Sequence, residues 1–100
     1  MLDKASQKKI TNILSGYPIT YASIFGSTVK NSESIAGDID ILFDYNHKSK
    51  FSLFDLVEIQ EKLEKELDKE VDFVPVGGLK TSIKNEILSS AIKFYEKRQS

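Results

Sequence analysis

An α+β fold, with a small mixed β-sheet packed with helices in the order α-β-β-α-β-α, is what this sequence predicts. Three observations lead there. Short runs of β-branched and aromatic residues (Ile19 to Phe25, Asp38 to Asp44, Val71 to Val74) alternate with longer segments of helical period. The connections between them are polar or carry Gly and Pro. The chain has 100 residues, of which 40% are apolar, enough for one modest core and too few for two, so a single domain over residues 1–100 is expected.

Taken in order, Ile10, Ile13 and Leu14 follow helical spacing between Asp3 and Ser15, and Gly16-Tyr17-Pro18 ends that helix. Ile19 to Phe25 reads as a strand running into Gly26-Ser27. Thr28 to Gly37 is polar and reads as mostly loop. In the next strand, Ile39, Ile41 and Phe43 form an apolar face opposite Asp38, Asp40, Leu42 and Asp44. Ser52-Leu53-Phe54-Asp55 has the form of a capping box opening a helix to about Leu67, with Leu53, Leu56, Val57, Leu63 and Leu67 as its buried stripe. Val71-Asp72-Phe73-Val74 is a third strand, stopped by Pro75 and Gly77-Gly78. A final helix is expected from about Ser82 to Lys97, with Ile83, Ile87, Leu88, Ala91, Ile92 and Tyr95 on one face.

Composition excludes several classes. Without cysteine there is no disulfide framework, thiolate zinc site or thiol nucleophile, which fits a reducing cytoplasm. The formal net charge of −1, with no long block of one sign, argues against bulk DNA or RNA binding. The N-terminus lacks an apolar signal-peptide core, and no apolar run approaches the ~20 residues of a membrane helix. A cytoplasmic domain with a nucleotide-sized ligand stays within these bounds.

The chemistry concentrates between Gly26 and Asp40. Gly26-Ser27 is followed, after ten residues, by Asp38-Ile39-Asp40. In a strand, residues i and i+2 share a face, so Asp38 and Asp40 stand together and repel unless a cation sits between them. Mg²⁺, a hard ion commonly held by carboxylates plus substrate phosphates, suits that pair. Gly26-Ser27 offers a turn, a hydroxyl and backbone N–H groups able to cradle phosphate. A third carboxylate is supplied by Asp72, whose side chain faces away from Val71 and Phe73. If its strand pairs beside the Asp38–Asp40 strand, the three carboxylates meet.

Gly26-Ser27-x10-Asp38-x-Asp40 followed by Val71-Asp72 resembles the polymerase-beta-type nucleotidyltransferase superfamily. The size of the chain and its tail are similar to the minimal branch, the MNT domains often paired with HEPN toxins. The resemblance implies a polymerase-beta-like fold in which Asp38 and Asp40 bind two Mg²⁺ ions. Asp72 would contact the metal and help to activate an acceptor hydroxyl, and Ser27 would contact the triphosphate of ATP, with Gly26 allowing close backbone approach. It also implies an antitoxin that transfers AMP to a tyrosine of a HEPN toxin partner. The loop departs from the pattern: where many relatives carry Arg and then Gly, this chain has Lys30 and Asn31. Lys30 would then bind phosphate as a point charge, without bidentate geometry.

Two other functions fit the same residues. One is a binding module that neutralises its partner by forming a complex, and the other is adenylylation of a small molecule. Asp44, at the strand's end, reads as a turn residue, and His47, with no metal-ligand partner nearby, as an exposed loop residue.

Overall fold

Helix α1 (Lys4–Leu14) starts where Asp3 caps it, the Asp3 carboxylate accepting from the Ser6 N–H at 2.8 Å, and it buries Ile10 and Leu14. Hydrogen bonding from the Ser6 hydroxyl, and then from the Ser6 N–H, holds the Asp3 carboxyl below its ordinary pKa. In this computed structural model, which describes residues 3–26 and 39–97, the chain continues through β1 (Ile19–Ile24), β2 (Ile39–Tyr45), α2 (Leu53–Leu67), β3 (Val71–Pro75), a 3₁₀ turn at Val76–Gly78, α3 (Thr81–Ser90) and β4 (Ile92–Glu96). The expected loop at residues 28–37 lies outside the described residues.

The strands form one sheet in the order β3-β2-β1-β4. β2 and β3 run parallel, joined through α2, whereas β1 is antiparallel to both β2 and β4. Helices α1 and α2 contribute Ile10, Leu14, Ile59 and Leu63 to a core that they share with one face of the sheet. The sheet supplies Ile39, Ile41 and Phe43 from β2, the face expected from their alternation, together with Val71 and Phe73 from β3. Phe43 and Phe73 stack with ring centroids 3.9 Å apart, joining β2 to β3 inside the core.

The capping box at the start of α2 forms as expected. Ser52 Oγ accepts from the Asp55 N–H at 3.4 Å, and Asp55 Oδ2 accepts from the Ser52 N–H at 3.0 Å. The buried stripe differs from expectation. Ile59 and Leu63 are fully buried, with Leu56 and Leu67 packed beside them, while Leu53 and Val57 are 75% and 49% exposed. At 100° per residue the stripe runs 56-59-63-67, and Val57 stands about 100° round the helix from Leu56. Leu53 and Val57 therefore miss the core although both are apolar. On the wet side, Tyr17 Oη donates to Glu58 at 2.8 Å and accepts from Lys62 at 2.7 Å. This contact, reinforced by the Lys62–Glu58 pair, lowers the Glu58 pKa and raises that of Lys62.

The expected final helix is cut short. It ends at Ser90; Ala91 takes an extended backbone (φ −71°, ψ 145°), and residues 92–96 become a strand on β1. The 3.6-residue spacing of Ile83, Ile87, Leu88, Ala91, Ile92 and Tyr95 is present in the sequence, but two effects override it. Ser89 and Ser90 turn their hydroxyls onto the Glu86 and Ile87 carbonyls, competition that disfavours helix continuation. The β1 edge offers ladder partners to a β-branched and aromatic run, Ile92-Lys93-Phe94-Tyr95-Glu96, and the pairing is closed by the Lys97 N–H on the Thr20 carbonyl. Tyr95 thus enters the sheet-side core, where its hydroxyl is buried with no hydrogen-bond partner among the described residues and burial raises its pKa. Tyr95→Phe is expected to stabilise the protein by about 1 kcal/mol, read as a higher urea midpoint at unchanged slope.

Candidate active site

The parallel pairing of β2 with β3 sets Asp40 directly opposite Asp72. Each lies between two core residues, Asp40 between Ile39 and Ile41, Asp72 between Val71 and Phe73. Both side chains must therefore leave the sheet on the face away from α1 and α2. Neighbouring strands lie about 4.8 Å apart, so two carboxylates in register on one face share a single small region. Asp40 is half-buried and Asp72 exposed.

Gly26 closes the third side. The Phe25 N–H donates to the Asp40 carbonyl at 3.1 Å, tying the end of β1 to β2 at this residue. The next residue, Gly26, turns with φ +61°, and a Cβ built on it would lie 2.8 Å from Asp40 Oδ2. Two properties of glycine are thus used at once: the left-handed backbone and the space a methyl group would take from the carboxylate.

The start of β3 is held by a residue not singled out in the sequence analysis. Glu64, on α2, accepts from the Val71 N–H at 3.0 Å, next to Asp72. No motif marks Glu64; only the fold of α2 back over β3 reveals it. Glu64→Ala is expected to cost roughly 1 kcal/mol in chemical denaturation, since a part-buried N–H loses its acceptor, with Glu64→Gln, whose amide oxygen still accepts, costing less.

Of the expected site residues, the structure brings together Asp40, Asp72 and Gly26. Asp38, Ser27 and Lys30 lie outside the described residues. The residues set aside behave as expected: Asp44 Oδ1 accepts from the Tyr45 N–H and meets His47 Nε2 at 2.9 Å, a local turn contact.

Comparison with known proteins decides the family. Residues 8–100 match the sequence profile of the family described as "Polymerase beta, Nucleotidyltransferase". The chain belongs to this family. The nucleotidyltransferase is 37% identical over 86 residues to MJ0435 of Methanocaldococcus jannaschii, covering 86% of this chain and 90% of that protein. It is 34% identical over 77 residues to MJ0126 of the same organism, covering 77% of this chain and 72% of that protein. Both relatives are named as protein adenylyltransferases. Its fold matches a solved minimal nucleotidyltransferase with a TM-score of 0.77 at 22% identity, over 89% of each chain. A chain from a toxin–antitoxin crystal structure with AMP-PNP matches with a TM-score of 0.75 at 20% identity, over 92% of this chain and 74% of that one. Another match, with a TM-score of 0.72 at 19% identity, covers 96% of this chain and 74% of a chain from the Shewanella oneidensis complex of MNT antitoxin with tri-AMPylated HEPN toxin.

Nucleotidyltransferases use a nucleoside triphosphate and a divalent cation. The described donors fit such an ion: Asp40 and Asp72 present hard carboxylate oxygens in register, and the missing Cβ of Gly26 leaves room beside Asp40 Oδ2. No described helix is long and apolar enough to cross a membrane.

Proposed function

We propose that this nucleotidyltransferase acts as a single cytoplasmic domain, an antitoxin that transfers AMP from ATP to a tyrosine hydroxyl of a HEPN-type toxin. The observation that carries the reading is the in-register pairing of Asp40 with Asp72 beside Gly26. The names of the relatives support protein adenylylation, and the toxin–antitoxin complexes among the similar folds support the partner.

In the proposed reaction the acceptor oxygen attacks the α-phosphorus in line. The bond from that phosphorus to the bridging oxygen breaks, and pyrophosphate leaves with the bond electrons. Asp38, Asp40 and Asp72 would hold Mg²⁺, two ions in this reading, which supply charge neutralisation around the transferring group when bound. Asp72, exposed where Asp40 is half-buried, would take the hydroxyl proton of the acceptor. Gly26 brings backbone close to the triphosphate, while Ser27 and Lys30 bind its oxygens through a hydroxyl and a point charge.

Intact-mass spectrometry of the protein and its co-expressed toxin, incubated with ATP and Mg²⁺, tests this. AMP-sized gains on the toxin, absent with Asp40→Asn, support it. A stable complex that neutralises the toxin with no mass gain would instead make the chain a binding module. Gains on a small acceptor with no protein partner would point to small-molecule adenylylation.

A further inference from the structure

The start of α2 carries an apolar surface that the fold leaves uncovered. Phe54 is 87% exposed, Leu53 75% and Val57 49%. They adjoin an open groove of about 190 Å³ whose walls include Phe43, Tyr45, Phe51, Leu56 and Pro75. Small-molecule sites usually measure about 300–1,000 Å³ and converge several polar groups. This groove is smaller and its lining is mostly apolar, with Ser52 engaged in the helix cap. It suits one large side chain better than a nucleotide. It also lies at the end of β2 and β3 opposite to Asp40 and Asp72, on the core-facing side of the sheet, so an occupant would leave the carboxylates open.

We propose that this surface is the interface of a two-fold homodimer, in which Phe54 of each copy enters the groove of the other. The occupant is argued from charge and area. Along the chain, Lys48 and Lys50 precede the apolar patch and Glu61 follows it, two turns beyond Phe54 on the same exposed side of α2. Two α2 helices packed antiparallel across a dyad near Phe54 and Val57 set the lysines of one copy against Glu61 of the other, twice. The surface is therefore complementary to itself, as an isologous contact requires. Three apolar side chains this exposed offer on the order of 400 Å², the size of patch that marks interaction sites. The charged rim on both sides extends this toward the ~800 Å² that each partner gives to a standard interface. The aromatic anchor sits at the centre, with charges at the rim.

Sedimentation equilibrium of the purified full chain tests the dimer without any toxin or nucleotide. The expected result is twice the chain mass at tens of micromolar, with Phe54→Glu weakening association at least a hundredfold while circular dichroism stays native and the concentration dependence of melting is lost. Lys50→Glu and Glu61→Lys should each weaken the dimer about tenfold, and the double reversal Lys50→Glu/Glu61→Lys should restore it. A wild-type chain that stays monomeric at several hundred micromolar overturns the proposal. So does a dimer indifferent to Phe54→Glu, or protection of Phe54 and Leu53 from hydrogen exchange and labelling only when a different protein is added.

Discussion

Asp40→Asn is expected to lower AMP transfer by about a thousandfold, equal to roughly 4 kcal/mol of barrier, while the protein keeps its native fold. The two effects have separate causes. Replacing a carboxylate by an amide removes charge where, in the proposed reaction, a divalent ion would bind and neutralise the transferring group. The same change removes a like charge from the position opposite Asp72 in the β2–β3 pairing. Like charges directly opposed on a sheet cost a few tenths of a kcal/mol to about 1 kcal/mol, so relief of that repulsion offsets part of what the fold loses with the carboxylate. The second half of the experiment reads ion binding directly. Added Mg²⁺ and a non-hydrolysable ATP analogue should raise the melting temperature of the wild type and not that of Asp40→Asn, because only a ligand that binds the native state shifts its stability. A variant that keeps full transfer, or that still gains stability from Mg²⁺ and nucleotide as the wild type does, would remove Asp40 from the site. Loss of both transfer and native circular dichroism would show a structural residue instead.

Gly26→Ala should be nearly as damaging to transfer, about a hundredfold or more, by a route that leaves every carboxylate in place. The added Cβ would lie 2.8 Å from Asp40 Oδ2, too close for either atom to stay. Asp40 has a short side chain and must rotate its carboxylate away from the shared region, and misplacement by about 1 Å is enough to cost a hundredfold. The left-handed backbone at Gly26 (φ +61°) adds a penalty of roughly 1–2 kcal/mol in stability for any residue with a Cβ. The two consequences separate by measurement. Stability should fall only by the backbone term, in urea and by melting, while transfer falls much further at temperatures where the variant is fully folded. Doubling Gly26→Ala with Asp40→Asn should add little to the loss of Asp40→Asn alone, since the alanine acts through that carboxylate. Full additivity would mean that Gly26 acts elsewhere, on phosphate approach.

Much of this site is legible in the chain because it depends on local rules. Alternation in a strand places Asp40 and Asp72 opposite their apolar neighbours whatever the rest of the protein does, and the cores around Ile39-Ile41 and Val71-Phe73 obey it. The Ser52–Asp55 box likewise needs only four consecutive residues. Where the reading failed, two local patterns competed and a distant partner chose between them. Residues 91–96 satisfy a helical face and a β-strand equally well, and the open edge of β1, some seventy residues earlier in the chain, made them a strand. Leu53 and Val57 looked like core because they are apolar, yet the angle at which α2 meets the sheet buried Ile59 instead.

By itself, then, the sequence determined the element types that rest on short-range periodicity, the caps, and the outward aim of the carboxylates, since these are fixed by backbone geometry within a few residues. Tertiary structure alone decided which strands are neighbours. The parallel pairing that sets Asp40 against Asp72, the close approach of Gly26 to Asp40 Oδ2, and the reach of Glu64 to the Val71 N–H all join residues far apart in the chain. No local pattern encodes such contacts, because they arise only when burial of one shared core fixes the order and register of the sheet.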